Sequence, residues 1–234
     1  MPCYQLDDQL WFPSVDSAED YGLLAVGGDL TPERLLFAYS LGIFPWYNED
    51  EPILWWSPDP RCVIFPKKFH VSRSLRKTMR KGKLHLTLNQ AFDRVMQGCR
   101  VQRKDNEGTW ITREMLSAYH NLHLHGFAHS LECWEGDDLV GGLYGLCLGR
   151  CFFGESMFSL RSDASKIALA ALARTLGSAG FELIDCQQTT DHLLSLGACE
   201  ISRDEFVKRL AVGGVGPEYR LRSEFPQQLV GWVE

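Results

Sequence analysis

The chain has 234 residues, 45% of them hydrophobic and 23% charged, the balance of a soluble globular protein with room for a substantial core. No apolar run approaches the ~20 residues of a membrane span, and the start MPCYQLDDQLWF lacks the basic lead and apolar stretch of an export signal, so a cytoplasmic protein is expected. A net charge of −6 gives no overall attraction for nucleic acid, and eight cysteines without a CxxC pair read as reduced thiols, although Cys147 and Cys151 straddle a turn and could approach each other.

In chain order, Thr31-Pro32-Glu33 is a helix start and Gly42 a stop, which predicts a helix over 32–41. Prolines 45, 52, 58 and 60 exclude a regular helix from the aromatic passage that follows, and CVIF (62–65) returns to strand. The boundary between a small N-terminal domain, 1–62, and a larger one, 63–234, is placed there. Ser72 caps a helix over 73–81 that gathers Arg73, Arg76, Lys77 and Arg80 on one face, with Leu75 and Met79 beneath. A strand at 85–89, a helix over 91–99 and a polar loop come next; GTWIT (108–112) then leads into a helix over 113–125 packed through Met115, Leu116, Tyr119 and Leu122.

Three successive strands, 128–135, 139–148 and 151–158, are joined by short Gly turns. A helix over 164–177, the strand FELIDCQ (181–187), a short helix ending at Gly197 and the strand ACEI (198–201) follow. Ser202…Glu205 is a capping box that opens another helix, and the Gly-rich stretch 213–217 marks an irregular tail. Meander, helix, strand, helix is an α+β plan in which helices cover a mixed sheet.

Two carboxylates interrupt runs that otherwise read as buried strand: Glu155 in CFFGESMFS and Asp185 in FELIDCQ. Burying an unpaired carboxylate costs several kcal/mol, so such residues are either paired or carry chemistry. If the strands are regular, Asp185 and Gln187 share one face, as do Glu155, Met157 and Ser159; a bulge at Gly154 would alter that parity. Should the strands be neighbours, they build a pocket holding two acids, an amide and a methionine. The alternative is that both acids are satisfied by backbone N–H groups or by Arg and Lys partners.

From Arg61 to Lys83 the chain carries nine basic residues and no acid, a local patch on an acidic protein that suits phosphate docking. Trp46 and Trp110 sit in Gly-, Pro- and Thr-flanked loops, where exposure and stacking on a base come into consideration. His120, His123, His125 and His129 lack a companion ligand at a familiar spacing and read as a solvated face, so no metal is expected. No Walker A, GxGxxG or GxSxG motif is present, which leaves group transfer between two bound substrates without a cofactor.

The runs GGDL (27–30), GIFPW (42–46), WWSPDPR (55–61), GTWIT (108–112), GGLYG (141–145), GESMFS (154–159), ASK (164–166) and IDCQ…HLLSLGA (184–198) closely resemble the leucyl/phenylalanyl-tRNA–protein transferase family. The resemblance covers residues 10 to 210 in order. It implies a cytosolic enzyme that moves Leu, Phe or less often Met from aminoacyl-tRNA to the α-amine of proteins beginning with Arg or Lys, marking them for N-degron proteolysis. It also implies a C-terminal domain similar to the GNAT acyltransferase fold. Where acyl-CoA enzymes of that fold carry a Gly-rich pyrophosphate loop, this chain has SLRSDASK (159–166), so CoA is not the expected donor.

Carried over residue by residue, the resemblance gives Asp185 and Gln187 the catalytic roles. Gln187 contacts the attacking amine and Asp185 supports it as a relay. A neutral amide binds a proton very weakly, so Gln187 is expected to orient the amine while Asp185, water or the ribose hydroxyl moves the proton. Glu155 and Ser159 fall to the acceptor; Leu143, Phe152, Met157, Leu172 and Ile184 to the aminoacyl side chain; Trp46 and Trp110 to the terminal adenosine. Arg73, Arg76, Lys77, Arg80 and Lys83 fall to tRNA. An acyl-CoA-dependent N-acetyltransferase and a non-catalytic RNA-binding protein are the alternatives, the first opposed by the missing pyrophosphate loop and the second supported only by the basic helix and the tryptophans.

Overall fold

The structure, a computed structural model, describes residues 4–107, 110–218 and 220–231, with side chains for all of these except 103–107. Gly108 and Thr109 of the GTWIT run and Cys3 lie outside the described residues.

The N-terminal part is a four-stranded sheet in the order β1 (Tyr4–Leu6), β2 (Leu23–Gly27), β4 (Leu54–Trp56), β3 (Phe44–Pro45), with helix α1 (Pro32–Ser40). Thr31 starts α1 by accepting the Arg34 amide on its hydroxyl at 3.4 Å, and Pro32 occupies the first turn, where a missing N–H costs nothing. Gly42 follows at φ +79°, and a Cβ there would stand 3.0 Å from the Phe206 ring; the residue thus serves both a left-handed turn and a close approach between the two ends of the chain.

The larger sheet has seven strands in the order β11 (Cys199–Ile201), β5 (Arg61–Ile64), β10 (Leu183–Gln187), β9 (Cys151–Ser159), β8 (Asp138–Leu148), β7 (Ala128–Glu135), β6 (His85–Leu88). Strands β6 to β9 are antiparallel neighbours; β10 runs parallel to β9 after the crossover through helix α5 (Ala164–Ser178), and β5 is antiparallel to both β10 and β11. This is the expected α+β plan with a mixed sheet. Two cores follow from the alternation of side chains across it. Leu131, Leu143, Phe152 and Ile184 pack under Ala168, Leu169, Leu172 and Leu176 of α5. On the opposite face Val63, Tyr144, Phe153 and Phe158 meet Tyr39 of α1, Met96 of α3 (Phe92–Glu107), Met115 and Tyr119 of α4 (Arg113–Leu124), and Phe206 of α7 (Arg203–Val212).

Local capping accounts for four further helix starts. Ser72, Thr112, Thr190 and Ser202 each accept the backbone N–H three residues on, opening α2 (Arg73–Arg80), α4, α6 (Asp191–Ser195) and α7. Helix α3 departs from expectation, since it runs to Glu107 instead of yielding to a loop after 99. Its Gly98 lies against the Phe158 ring, where a Cβ would come within 2.8 Å, so close packing explains a glycine that sequence alone reads as a weak helix position. The tail beyond α7 is irregular yet anchored. Gly149 N–H donates to the Arg222 carbonyl at 2.7 Å, Val230 N–H donates to Thr175 Oγ1 at 3.1 Å, and Phe225 stacks on His129 at 4.0 Å.

Candidate active site

Parallel strands β9 and β10 pair only as far as Phe153 and Asp185. Beyond that point each carries one extra residue relative to its other neighbour. Gly154 and Ser156 of β9 oppose Gly145 and Tyr144 of β8, leaving Glu155 as the bulge; Asp185 and Gln187 of β10 oppose Val63 and Cys62 of β5, leaving Cys186. Bulges bend a strand and end its pairing. The sheet therefore splits into a cleft whose two lips present Glu155 and Gln187.

That bulge overturns the expected parity. Glu155 sides with Tyr39 and Tyr119 of one core, whereas Met157 packs into the other. Ser159 does not line the cleft. Its hydroxyl donates to the Arg161 carbonyl at 2.8 Å and accepts the Ser165 amide at 3.3 Å, while its own amide donates to Gln102 Oε1 at 2.7 Å. Asp185 and Gln187 are likewise not a simple i, i+2 pair, because Gln187 has φ +63°. Left-handed backbone costs a residue with a side chain about 1–2 kcal/mol. Here it is held by the Gln187 amide donating to Asp185 Oδ1 at 2.9 Å and by Gln187 Nε2 donating to Glu155 Oε1 at 3.1 Å.

The two acids live in opposite surroundings. Asp185, 0% exposed, takes a bidentate fork from Arg61: Nε to Oδ1 at 2.8 Å and Nη2 to Oδ2 at 2.7 Å. Arg61 is itself 1% exposed, donates Nη1 to the Gly42 carbonyl at 3.1 Å, and lies between the Phe44 and Phe206 rings at 4.7 and 4.5 Å. It thus belongs to the interior and not to the surface patch in which the sequence placed it. Glu155, 6% exposed, pairs with no cation among the described residues. Its Oε1 accepts Tyr39 OH at 2.6 Å, and its Oε2 lies 3.0 Å from Tyr119 OH. Burial pushes its carboxyl up to about 7, with the nearby Asp185 charge adding to the rise and the tyrosine hydrogen bonds and Arg61 opposing it.

Between these acids and α5 lies a cavity of about 250 Å³. Leu143, Phe152, Met157, Leu172 and Ile184 all line it, so the five residues assigned to the aminoacyl side chain are brought together. Its volume sits just under the roughly 300–1,000 Å³ of small-molecule pockets, enough for one side chain. Trp46 and Trp110 stand on its rim. Trp46 is 38% exposed and meets Trp56 edge to face at 5.7 Å, while Trp110 is only 8% exposed, more enclosed than its loop setting suggested.

Arg73, Arg76, Lys77 and Arg80 form an exposed face of α2, with Lys83 just beyond and Leu75 buried beneath. Among the described residues no carboxylate pairs with any of the five. The helix packs on α5, whose Leu169 and Leu172 line the cavity. Two of the four histidines are less solvated than expected: His123 stacks on Phe92 at 4.2 Å, and buried His129 contacts Asn89 and Ser223, burial pushing its pKa down to about 4, whereas His120 and His125 face solvent as expected. The seven described cysteines, Cys147 and Cys151 included, are free thiols.

Sequence reasoning missed Arg61 as the partner of Asp185, and Tyr39 and Tyr119 as partners of Glu155. Tyr119 was legible only as a packing residue on its helix, and its hydroxyl's destination carries no local signal.

Comparison with known proteins agrees with this picture. The family profile described as leucyl/phenylalanyl-tRNA protein transferase matches residues 63–211, and that of the same family's N-terminal domain matches residues 28–59. Curated relatives named leucyl/phenylalanyl-tRNA–protein transferase include those of Syntrophotalea carbinolica, 57% identical over 93% of this chain and 95% of that one, and Hahella chejuensis, 56% identical over 88% and 89%. The Cellvibrio japonicus protein is 58% identical over 86% of each chain. Among solved structures, an aminoglycoside acetyltransferase from an uncultured soil sample aligns over 65% of this chain and 96% of its own, with 12% identity and a TM-score of 0.37, too distant to bear on activity. With both family profiles matched in order and relatives this similar along nearly its whole length, the chain belongs to the leucyl/phenylalanyl-tRNA–protein transferase family of aminoacyltransferases.

Proposed function

We propose that this enzyme transfers Leu, Phe or Met from aminoacyl-tRNA to the α-amine of cytoplasmic proteins beginning with Arg or Lys, and so marks them for N-degron proteolysis. The observation that carries the reading is the apolar cavity that opens directly onto Glu155 and Gln187 with two tryptophans at its rim. The cavity suits an apolar amino-acid side chain, the tryptophans suit a terminal adenosine, and the buried acid suits a cationic N-terminus.

The chemistry asks little more of the protein. An ester to a ribose hydroxyl is already activated, and a neutral amine converts it to an amide downhill. Positioning and charge stabilisation supply the rest. Gln187 orients the amine through its carbonyl while its amide nitrogen rests on Glu155. Asp185, engaged by Arg61, acts as a positioning residue that accepts the Gln187 amide and holds the end of β10, not as a proton relay. The basic face of α2 docks the tRNA body, and its hold on phosphate weakens with salt.

Incubating the protein with Leu-tRNA or Phe-tRNA and an Arg-starting peptide should give the extended peptide, and acetyl-CoA should give none. Acetylation without aminoacyl transfer would establish the acetyltransferase alternative, and tRNA binding with no amide product from any donor would establish the binding-protein alternative.

A further inference from the structure

Tyr39, Tyr119 and Glu155 make a closed triangle of oxygen contacts. Tyr39 OH lies 2.5 Å from Tyr119 OH and 2.6 Å from Glu155 Oε1, and Tyr119 OH lies 3.0 Å from Glu155 Oε2. Each side of the triangle needs one hydrogen to be attractive. The phenols supply two, and an ionised carboxylate supplies none. With Glu155 charged, one side of the triangle is left with lone pairs facing. If both phenols point at the carboxylate, that bare side is the 2.5 Å phenol–phenol approach, the shortest of the three.

A protonated Glu155 removes the conflict. Its Oε2–H donates to Tyr119, Tyr119 donates to Tyr39, and Tyr39 donates to Oε1, which also accepts Gln187 Nε2. Both tyrosines are fully buried, so no solvent competes, and burial together with the adjacent carboxylate pushes both phenols well above their ordinary value. The other groups facing the triangle do not supply the missing hydrogen. Asp185 from β10 and Arg61 from β5 are spent on each other, and Tyr144 from β8 packs edge to face on Tyr119 at 5.8 Å.

From this count of hydrogens we infer that Glu155 is a neutral acid in the unliganded enzyme, its proton completing a three-membered O–H ring with Tyr39 and Tyr119, and that the docking cationic N-terminus expels that proton. The second half rests on the transferase reading. In atoms, the Glu155 carboxyl proton passes to solvent, the α-ammonium proton then moves to the freed carboxylate, and the amine attacks in its neutral form. The new C–N bond forms as the C–O bond to ribose breaks, with the amine's second proton balancing the one taken up by the ribose oxygen. Tyr39 and Tyr119 are positioning residues, since neither lines the cleft.

The sign of one shift separates this ring from a simpler arrangement. If the phenols merely donate to a carboxylate, Tyr119→Phe removes support from the anion and raises the Glu155 titration. If the ring is right, Tyr119→Phe deprives the acid of two hydrogen bonds, and the one charge-assisted bond the anion loses is outweighed by relief of its facing lone pairs, so the titration falls. Infrared difference spectra of the unliganded enzyme, assigned with Glu155→Gln, follow the protonated-carboxyl C=O band against pH. The expected result is a band present at about pH 6, lost towards about pH 8, and shifted to lower pH in Tyr119→Phe, with Tyr39→Phe as the second variant. A wild-type band absent at about pH 6, or a titration unmoved or raised in the variants, overturns the ring. Calorimetry with an arginyl dipeptide amide in two buffers of different ionisation heat should show close to one proton released per peptide at about pH 6. No release overturns the docking step, and neither readout depends on whether amide product forms.

Discussion

Replacing Asp185 by Asn tests whether that acid holds the site together or moves protons. The substitution keeps shape and leaves the Arg61 guanidinium charged, buried and facing a neutral amide that returns one acceptor where two stood. Breaking a buried ion pair in this way costs roughly 3–5 kcal/mol, a third or more of the margin of a typical domain. The Phe44 and Phe206 rings do not soften the loss, because they already flank Arg61 in the native protein. Removing both charges together in Arg61→Met/Asp185→Leu leaves no orphaned charge, although the Gly42 carbonyl and the Gln187 N–H each lose a partner, and replacements of buried ion pairs are often neutral within about 1–2 kcal/mol.

Urea unfolding of the wild type, Arg61→Met, Asp185→Asn and the apolar double variant gives the cycle. Each single change should be strongly destabilising and the double change should recover most of the loss. Turnover is the second readout. If Asp185 positions Gln187 by accepting its amide, Asp185→Asn, which keeps an acceptor oxygen there, should retain more turnover than the apolar double variant, which has none. Single variants within about 1 kcal/mol of wild type, or purely additive effects, would refute the account of a buried structural pair.

Glu155→Gln removes a group whose carboxyl rises from 4.5 unfolded to about 7 folded. The folded protein then binds more protons than the unfolded chain across that window, so the stability Glu155 contributes is present at acid pH and lost as pH rises through about 7. At about 1.36 kcal/mol per unit, Glu155→Gln should gain on the wild type by about 3 kcal/mol between acid and neutral pH; a difference in unfolding free energy that is flat with pH would count against it. Replacing Arg76, Lys77 and Arg80 together by Ala should weaken tRNA binding and reduce its salt slope by roughly 0.9 for each phosphate no longer neutralised, while transfer from an aminoacyl-adenosine changes little. An equal loss with both donors would remove α2 from tRNA docking. Met157→Ala widens the cavity without emptying a fully buried position and should shift the Phe-to-Leu ratio of kcat/KM by about tenfold or more. An unchanged ratio would place the aminoacyl side chain elsewhere.

What the sequence revealed was local. Thr31, Ser72 and Ser202 are legible as caps because each hydroxyl reaches an N–H only three residues away, and the meander is legible because alternation and Gly turns recur within a few residues. The five apolar residues of the cavity were reached through the family resemblance. Periodicity alone would have buried Leu143, Phe152 and Ile184 as core without a hole beside them. What the sequence hid was long-range or a matter of one residue. Arg61 and Asp185 are 124 positions apart, and Tyr39 and Glu155 are 116. A single inserted residue turned Glu155 away from Met157, and nothing in GESMFS distinguishes a bulge at 155 from one at 154.

The division of labour between the two acids follows from the geometry of one guanidinium. Arg61 offers a planar fork, and Asp185 takes both tines of it while the remaining nitrogen is fixed by the Gly42 carbonyl. No cationic donor is left over for Glu155, which stands near an ionised neighbour that raises the cost of a second charge. Phenols and an amide are the partners that can sit beside it without adding charge. A site built so is ready for a positive ligand: the charge that Glu155 avoids when the cleft is empty becomes favourable once an ammonium arrives to meet it. An arginine placed against both acids would have neutralised the pair and left the acceptor nothing to displace.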